Sequence, residues 1–228
     1  MAEGDILQLL TVCCGIFSLV CSLTFVIKDR NALINRLLFL TFGSWAVNIF
    51  FLGFVYGQVF DVPILDLLRD IDITFGIMSG TFLFLSGFSI YYGDRSVKNW
   101  KTISVASVVT ILLILIAIPS DYIDPVTKEI ITPLPGVLAI FLIPGLIAIG
   151  GVVYFFQAYR TVNDDLVRKR ILFFILGSLC LICGAVILGL RELMPVDIFT
   201  VRVVANILYV LGPVNILWAF YGVKTRTT

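Results

Sequence analysis

The chain has 228 residues, 60% of them hydrophobic and only 14% charged, with a formal net charge of +1 and no histidine. Soluble domains average about 25% charged residues, so this composition excludes an ordinary soluble enzyme, a disordered chain and a nucleic-acid binder. The missing histidines also remove the commonest metal ligand and the usual general base at neutral pH.

Seven apolar stretches follow one another, at about 6–27, 37–60, 71–93, 102–119, 136–159, 171–190 and 201–223. A bilayer core about 30 Å thick takes a helix of about 20 apolar residues, and none of these stretches shows the alternation of a barrel strand. The first opens on Glu3 and Asp5 rather than on basic residues, so it reads as a retained helix and not as a signal peptide. Between the fourth and fifth stretches, Ser120–Pro135 carries two β-prone runs around Asp124, Pro125, Val126 and Thr127, the pattern of a short hairpin lid. Pro144 and Pro213 fall inside the fifth and seventh stretches, where each removes a backbone hydrogen bond, and Gly212–Pro213 is the better hinge candidate. The fold class expected is an all-α, polytopic bundle of seven transmembrane helices, with residues 1–228 forming a single domain.

Charge placement orients it. The segments at 28–36, 94–101, 160–170 and 224–228 hold twelve of the sixteen lysines and arginines, a bias that puts them in the cytoplasm and the N-terminus outside. The outer side then has four bases against eleven acids, −7, which favours cations or cationic headgroups; the inner side has twelve bases against four acids, +8. Tyr91, Tyr92, Trp100, Tyr159, Trp218 and Tyr221 gather at the inner ends as an aromatic belt.

Ionisable groups at membrane depth are costly and face protein or water. Asp72 stands at the outer end of the third stretch beside Asp66, Arg69 and Asp70, and Arg202 opens the seventh at matching depth, so these two are expected to pair. With Gln58, Thr74 and Asn206 they are expected to line an outward-facing, ligand-binding pocket; interhelical hydrogen bonding is the plainer alternative for each amide, including Asn48 and Asn215. Gly76 and Gly80, then Gly145, Ala148 and Gly151, then Gly177 and Gly184, suit close helix approach. Cys13, Cys14, Cys21, Cys180 and Cys183 lie in apolar stretches, where small packing residues are a better reading than a disulfide framework or a metal pair. No lysine lies inside a stretch, so no retinal Schiff base can form. No catalytic constellation, metal site or cofactor site is read from the sequence, and the chain is expected not to be an enzyme.

Arg69-Asp-Ile-Asp-Ile-Thr-Phe-Gly76 with Phe88-Ser-Ile-Tyr-Tyr-Gly-Asp-Arg95 resembles the third span of the seven-helix N-terminal sensor region of microbial histidine kinases. Tyr159–Arg160, Arg168–Arg170 and Leu176–Gly177 resemble that family's basic loop before the sixth helix. The departure is that no dimerisation helix or kinase follows Val223. The resemblance implies a sensor-like protein of the cell membrane, recognising an outer signal and relaying it to a cytoplasmic signalling partner at the basic loops. Besides the lipid bilayer and that partner, a homo-oligomer is left open. A small transporter or channel, and a non-catalytic accessory subunit, are the alternatives.

Overall fold

The computed structural model describes residues 3–28, 30–191 and 198–219. Seven helices in it are long and apolar enough to cross a membrane: α1 (Glu3–Lys28), α2 (Leu33–Gly57), α3 (Val62–Tyr92), α4 (Trp100–Ala117), α5 (Leu134–Thr161), α6 (Asp165–Arg191) and α7 (Ile198–Leu217). In hydrocarbon each backbone N–H and C=O must be satisfied within its own segment, which is why the Ile- and Val-rich run of α4 is helical despite its β-prone composition. One end of the bundle carries the link between α4 and α5 (the hairpin end) and the other the basic segments at 30–36, 94–101 and 160–170 (the basic end). The seventh span's sequence boundary at Val223, with Tyr221, Lys224 and Arg226, lies outside the described residues.

α3 differs most from expectation. It starts at Val62, nine residues before the apolar stretch, with Asp61 at the cap position and Pro63 in its first turn. Asp66, Arg69 and Asp70 are therefore helical residues, not a loop. α3 ends where Gly93 turns to φ +85°, a conformation that suits glycine. In α5, Leu138–Leu142 are π-helical and the N–H of Ile143 reaches back to the carbonyl of Leu138. Pro144 follows directly; it has no N–H to continue the regular ladder, and the wide turn absorbs that loss.

Six helices close a ring. α1 packs on α2 and α7, α2 on α3, α3 on α5, α5 on α6 and α6 on α7. α4 lies outside the ring, against α3 and the π-helical part of α5, and only 11% of its span is buried. Apolar surface gains nothing by leaving lipid for another helix, so small residues that admit close approach hold such bundles together. A Cβ on Gly87 would strike the carbonyl oxygen of Gly151, and one on Gly151 would lie 2.6 Å from that of Leu83, so α3 and α5 touch backbone to backbone. A Cβ on Gly177 would come within 2.7 Å of the Gly212 carbonyl, which joins α6 to α7 in the same way.

The link between α4 and α5 forms the expected hairpin. β1 (Tyr122–Ile123) and β2 (Ile130–Ile131) pair antiparallel, Tyr122 opposite Ile131. At its tip one carboxylate oxygen of Asp124 accepts from the N–H groups of Val126 at 2.7 Å and Thr127 at 2.9 Å. Those two backbone bonds hold the Asp124 carboxyl below the usual aspartate range.

Candidate functional site

A buried polar knot sits where α3 meets the hairpin. Arg69 and Asp72 lie three residues apart on one face of α3. One guanidinium nitrogen of Arg69 lies 3.1 Å from each oxygen of Asp72. Its Nε donates at 2.6 Å to Asp121, the first residue of the link to β1. Thr132, just past β2, donates to the other Asp121 oxygen. Arg69 is 5% exposed, Asp72 1% and Asp121 7%, so this is an interior ion triad with one positive and two negative groups. Asn48 of α2 completes it, donating its amide at 2.8 Å to the backbone carbonyl of Asp72 and lying 3.4 Å from the carboxylate. Room for Asn48 comes from Gly76, where a Cβ would stand 2.9 Å from the amide nitrogen. The hairpin is tied down at further points: the Ile123 N–H donates to Asp66, the Gln58 amide to the Lys128 carbonyl, and Lys128 Nζ to the Phe60 carbonyl.

Below the knot a cavity of about 100 Å³ runs inside the ring. A single ordered water needs about 10–15 Å³ by the same kind of measure, so this space is large enough for several waters or a small organic molecule. On α2 its lining extends from Tyr56 down to Thr41, fifteen residues, or about 22 Å of helix rise. The upper wall is polar, with Asn48, Arg69, Asp72 and Arg202, and Ile130 of the hairpin closes the top. The walls that α5 and α6 contribute are apolar, including Ile140, Ala148 and Leu181. Towards the basic end the cavity stops at Thr41 and Phe42. That ring stacks on Phe25 at 5.5 Å, Phe25 meets Phe174 at 6.0 Å, and Phe174 lies parallel to Phe155 at 6.1 Å. All four are buried and form a plug. Halfway down, Trp45 meets Tyr209 edge-to-face at 5.0 Å, and the buried Trp45 indole N–H has no acceptor among the described residues.

The residues singled out from sequence fare differently. Asp72 and Arg202 both line this cavity but do not pair. Arg69 takes the Asp72 carboxylate, while the Arg202 guanidinium lies over the ring of Tyr56, 4.0 Å from its centroid. The reason is packing: α7 runs along α1 and α6, not along α3. Gln58 lines a second, smaller space of about 70 Å³ with Tyr56, Lys128, Glu129, Ile130 and Arg202, so Arg202 borders both. Thr74 turns its hydroxyl back to the Asp70 carbonyl at 2.8 Å and borders neither cavity. Asn206 is buried towards α1, its side-chain oxygen 3.2 Å from the Thr11 hydroxyl, and serves as interhelical packing. Gly212 and Pro213 are buried where α7 meets α6. Cys13, Cys14, Cys21, Cys180 and Cys183 are free thiols. Arg69, Asp121 and Trp45 are the site residues that sequence reasoning missed.

No protein-family model matches the chain, and no curated protein matches it significantly.

Proposed function

We propose that this protein is a non-enzymatic, sensor-like membrane protein that binds a small molecule in the central cavity and relays occupancy to its basic end. The blind shape of the cavity carries this reading: it has a polar, hairpin-covered mouth, an unsatisfied Trp45 N–H in its wall and an aromatic plug below. A conduction path requires an opening through both halves, whereas the packed rings of Phe25, Phe42, Phe155 and Phe174 cross the basic half here. The twelve-to-four bias of basic residues supports an outside N-terminus, a hairpin facing the exterior of the cell and a cytoplasmic partner at 94–101 and 160–170. The resemblance to histidine-kinase sensor regions points the same way.

Relay requires two packings that the ligand distinguishes. The Arg69 triad links hairpin and α3, Asn48 links α3 to α2, and Gly212–Pro213 provides a weak point in α7. A ligand entering beneath Ile130 changes the balance among these contacts, and the basic ends of α3 and α6 move in response.

The test is a small-molecule thermal-shift screen on purified protein, run in parallel on Ala185→Trp, which fills the cavity from α6. Ligands of the site raise the melting temperature of the wild type, not of the variant, and change the distance between spin labels at Lys98 and Lys169. Accumulation of the same compounds inside proteoliposomes would move the assignment to a transporter.

A further inference from the structure

The sum of charges on the acidic side favours cations, yet the walls of the two cavities do not. Asp72 is already held by Arg69 and Asn48. In the second cavity Lys128 and exposed Glu129 offset each other. Arg202 is the charged group they share, beside Tyr56 and Ile130, and among the described residues it makes no ion pair. Stacking on Tyr56 occupies the face of the guanidinium and leaves its edge donors, which match a carboxylate in a two-point fork. Resting on an aromatic ring also fixes the guanidinium in position before any ligand arrives.

Seven residues below Arg202 on α7 comes Tyr209, about 10 Å further into the bilayer, packed against Trp45. The wall over that distance is mainly apolar, with Leu52, Ile140, Leu181 and Leu188. We infer that the ligand is an amphipathic carboxylic acid of medium chain length, its carboxylate on the edge of Arg202 and its alkyl tail running down towards Trp45 and Tyr209. This rests on the central cavity being a ligand site and names the class of molecule it takes. The net −7 of the outer face opposes the approach of an anion only weakly: exposed charges are screened beyond about 8 Å at physiological salt. Arg202, in contrast, stands in the cavity wall, in contact with the bound carboxylate.

Trp45 is a built-in reporter, because it lines the cavity and Trp100 and Trp218 are outward-facing. The experiment titrates octanoate, octylamine and octanol into the Trp100→Phe/Trp218→Phe protein in zwitterionic nanodiscs and follows Trp45 fluorescence. Octanoate gives a saturable change, and octylamine gives none at the same concentration. Arg202→Gln weakens octanoate about tenfold or more, the loss of a charge-assisted hydrogen bond. Arg202→Lys retains the charge without the fork and falls between the two. A melting curve for each variant confirms that it is folded. Stronger binding of octylamine, an equal response to octanol, or an unchanged affinity in Arg202→Gln would each overturn the carboxylate assignment while leaving the cavity as a ligand site. Repeating the titration with phosphatidylglycerol in the nanodisc separates two sources of an acidic head: retained affinity supports a free acid, and competitive loss assigns the site to a lipid headgroup and overturns the proposal. Silence from all three probes also overturns it; the thermal-shift screen then decides independently whether the cavity binds anything else.

Discussion

Replacing Arg69 by methionine isolates the energetics of the knot. The wild-type guanidinium faces Asp72 at 3.1 Å and Asp121 at 2.6 Å, and all three groups are buried. Methionine keeps most of the stem volume and removes the charge, so two interior carboxylates lose their common counter-ion. Removing one partner of a buried pair costs about 3–5 kcal/mol, because an uncompensated charge is left inside. By contrast, an exposed pair is worth about 0–1 kcal/mol. The expected loss for Arg69→Met is therefore about 3–5 kcal/mol in unfolding from mixed micelles. Adding Asp72→Asn and Asp121→Asn in the same chain removes the stranded charges and should recover most of that loss, since neutral isosteres of a buried ion network are often tolerated. Arg69→Lys should fall between, because one ammonium cannot reproduce the fork to Asp121 while holding Asp72. A loss below about 1 kcal/mol for Arg69→Met, or no recovery in the triple variant, would refute the interior-triad reasoning.

Three further outcomes are expected. Gly151→Leu should disrupt the α3–α5 contact and lower the melting temperature sharply, because even its Cβ would meet the Leu83 carbonyl at 2.6 Å; Gly145→Ala, where a Cβ meets nothing closer than Val186 at 3.9 Å, should be near neutral in the same assay. The lowered Asp124 carboxyl stabilises the hairpin turn above the ordinary aspartate range, and this contribution fades as pH falls through its depressed folded value; amide protection at Val126 and Thr127, taken relative to intrinsic exchange at each pH, should fall on acidification in the wild type and lose that pH dependence in Asp124→Asn. In a cysteine-free background on intact cells, Val126→Cys, 88% exposed at the hairpin tip, should react with an impermeant thiol reagent while Lys98→Cys does not; the reverse would invert the orientation.

The seven spans were legible because bilayer thickness imposes a length and apolarity that few other structures need. The hairpin was legible too, from turn residues between β-prone runs. The boundary of α3 was not, since Asp66, Arg69 and Asp70 look like loop residues until their partners Ile123 and Asp121 are known. Arg69 and Asp72 at i, i+3 were a signal that could have been used. Thr74 stands away from the cavity for a reason visible in helix geometry: two residues on from Asp72, it is turned about 200° away around α3. Arg202 and Asn206 lie one turn apart on α7, yet only Arg202 lines the cavity, because its long side chain reaches Tyr56 while the short Asn206 amide meets Thr11. Ring order decides such matters, and a single sequence does not encode it visibly: α3 packs on α5 and leaves α4 outside.

Ser79→Cys tests the central claim most directly. Ser79 lies midway along α3, is buried and lines the cavity, and cysteine is close to isosteric with it. In a cysteine-free protein reconstituted with defined orientation, a small water-soluble thiol reagent should modify this position from the hairpin side only, with octanoate protecting it. Modification from the basic side would contradict a blind cavity above an aromatic plug and point to a path through the bundle.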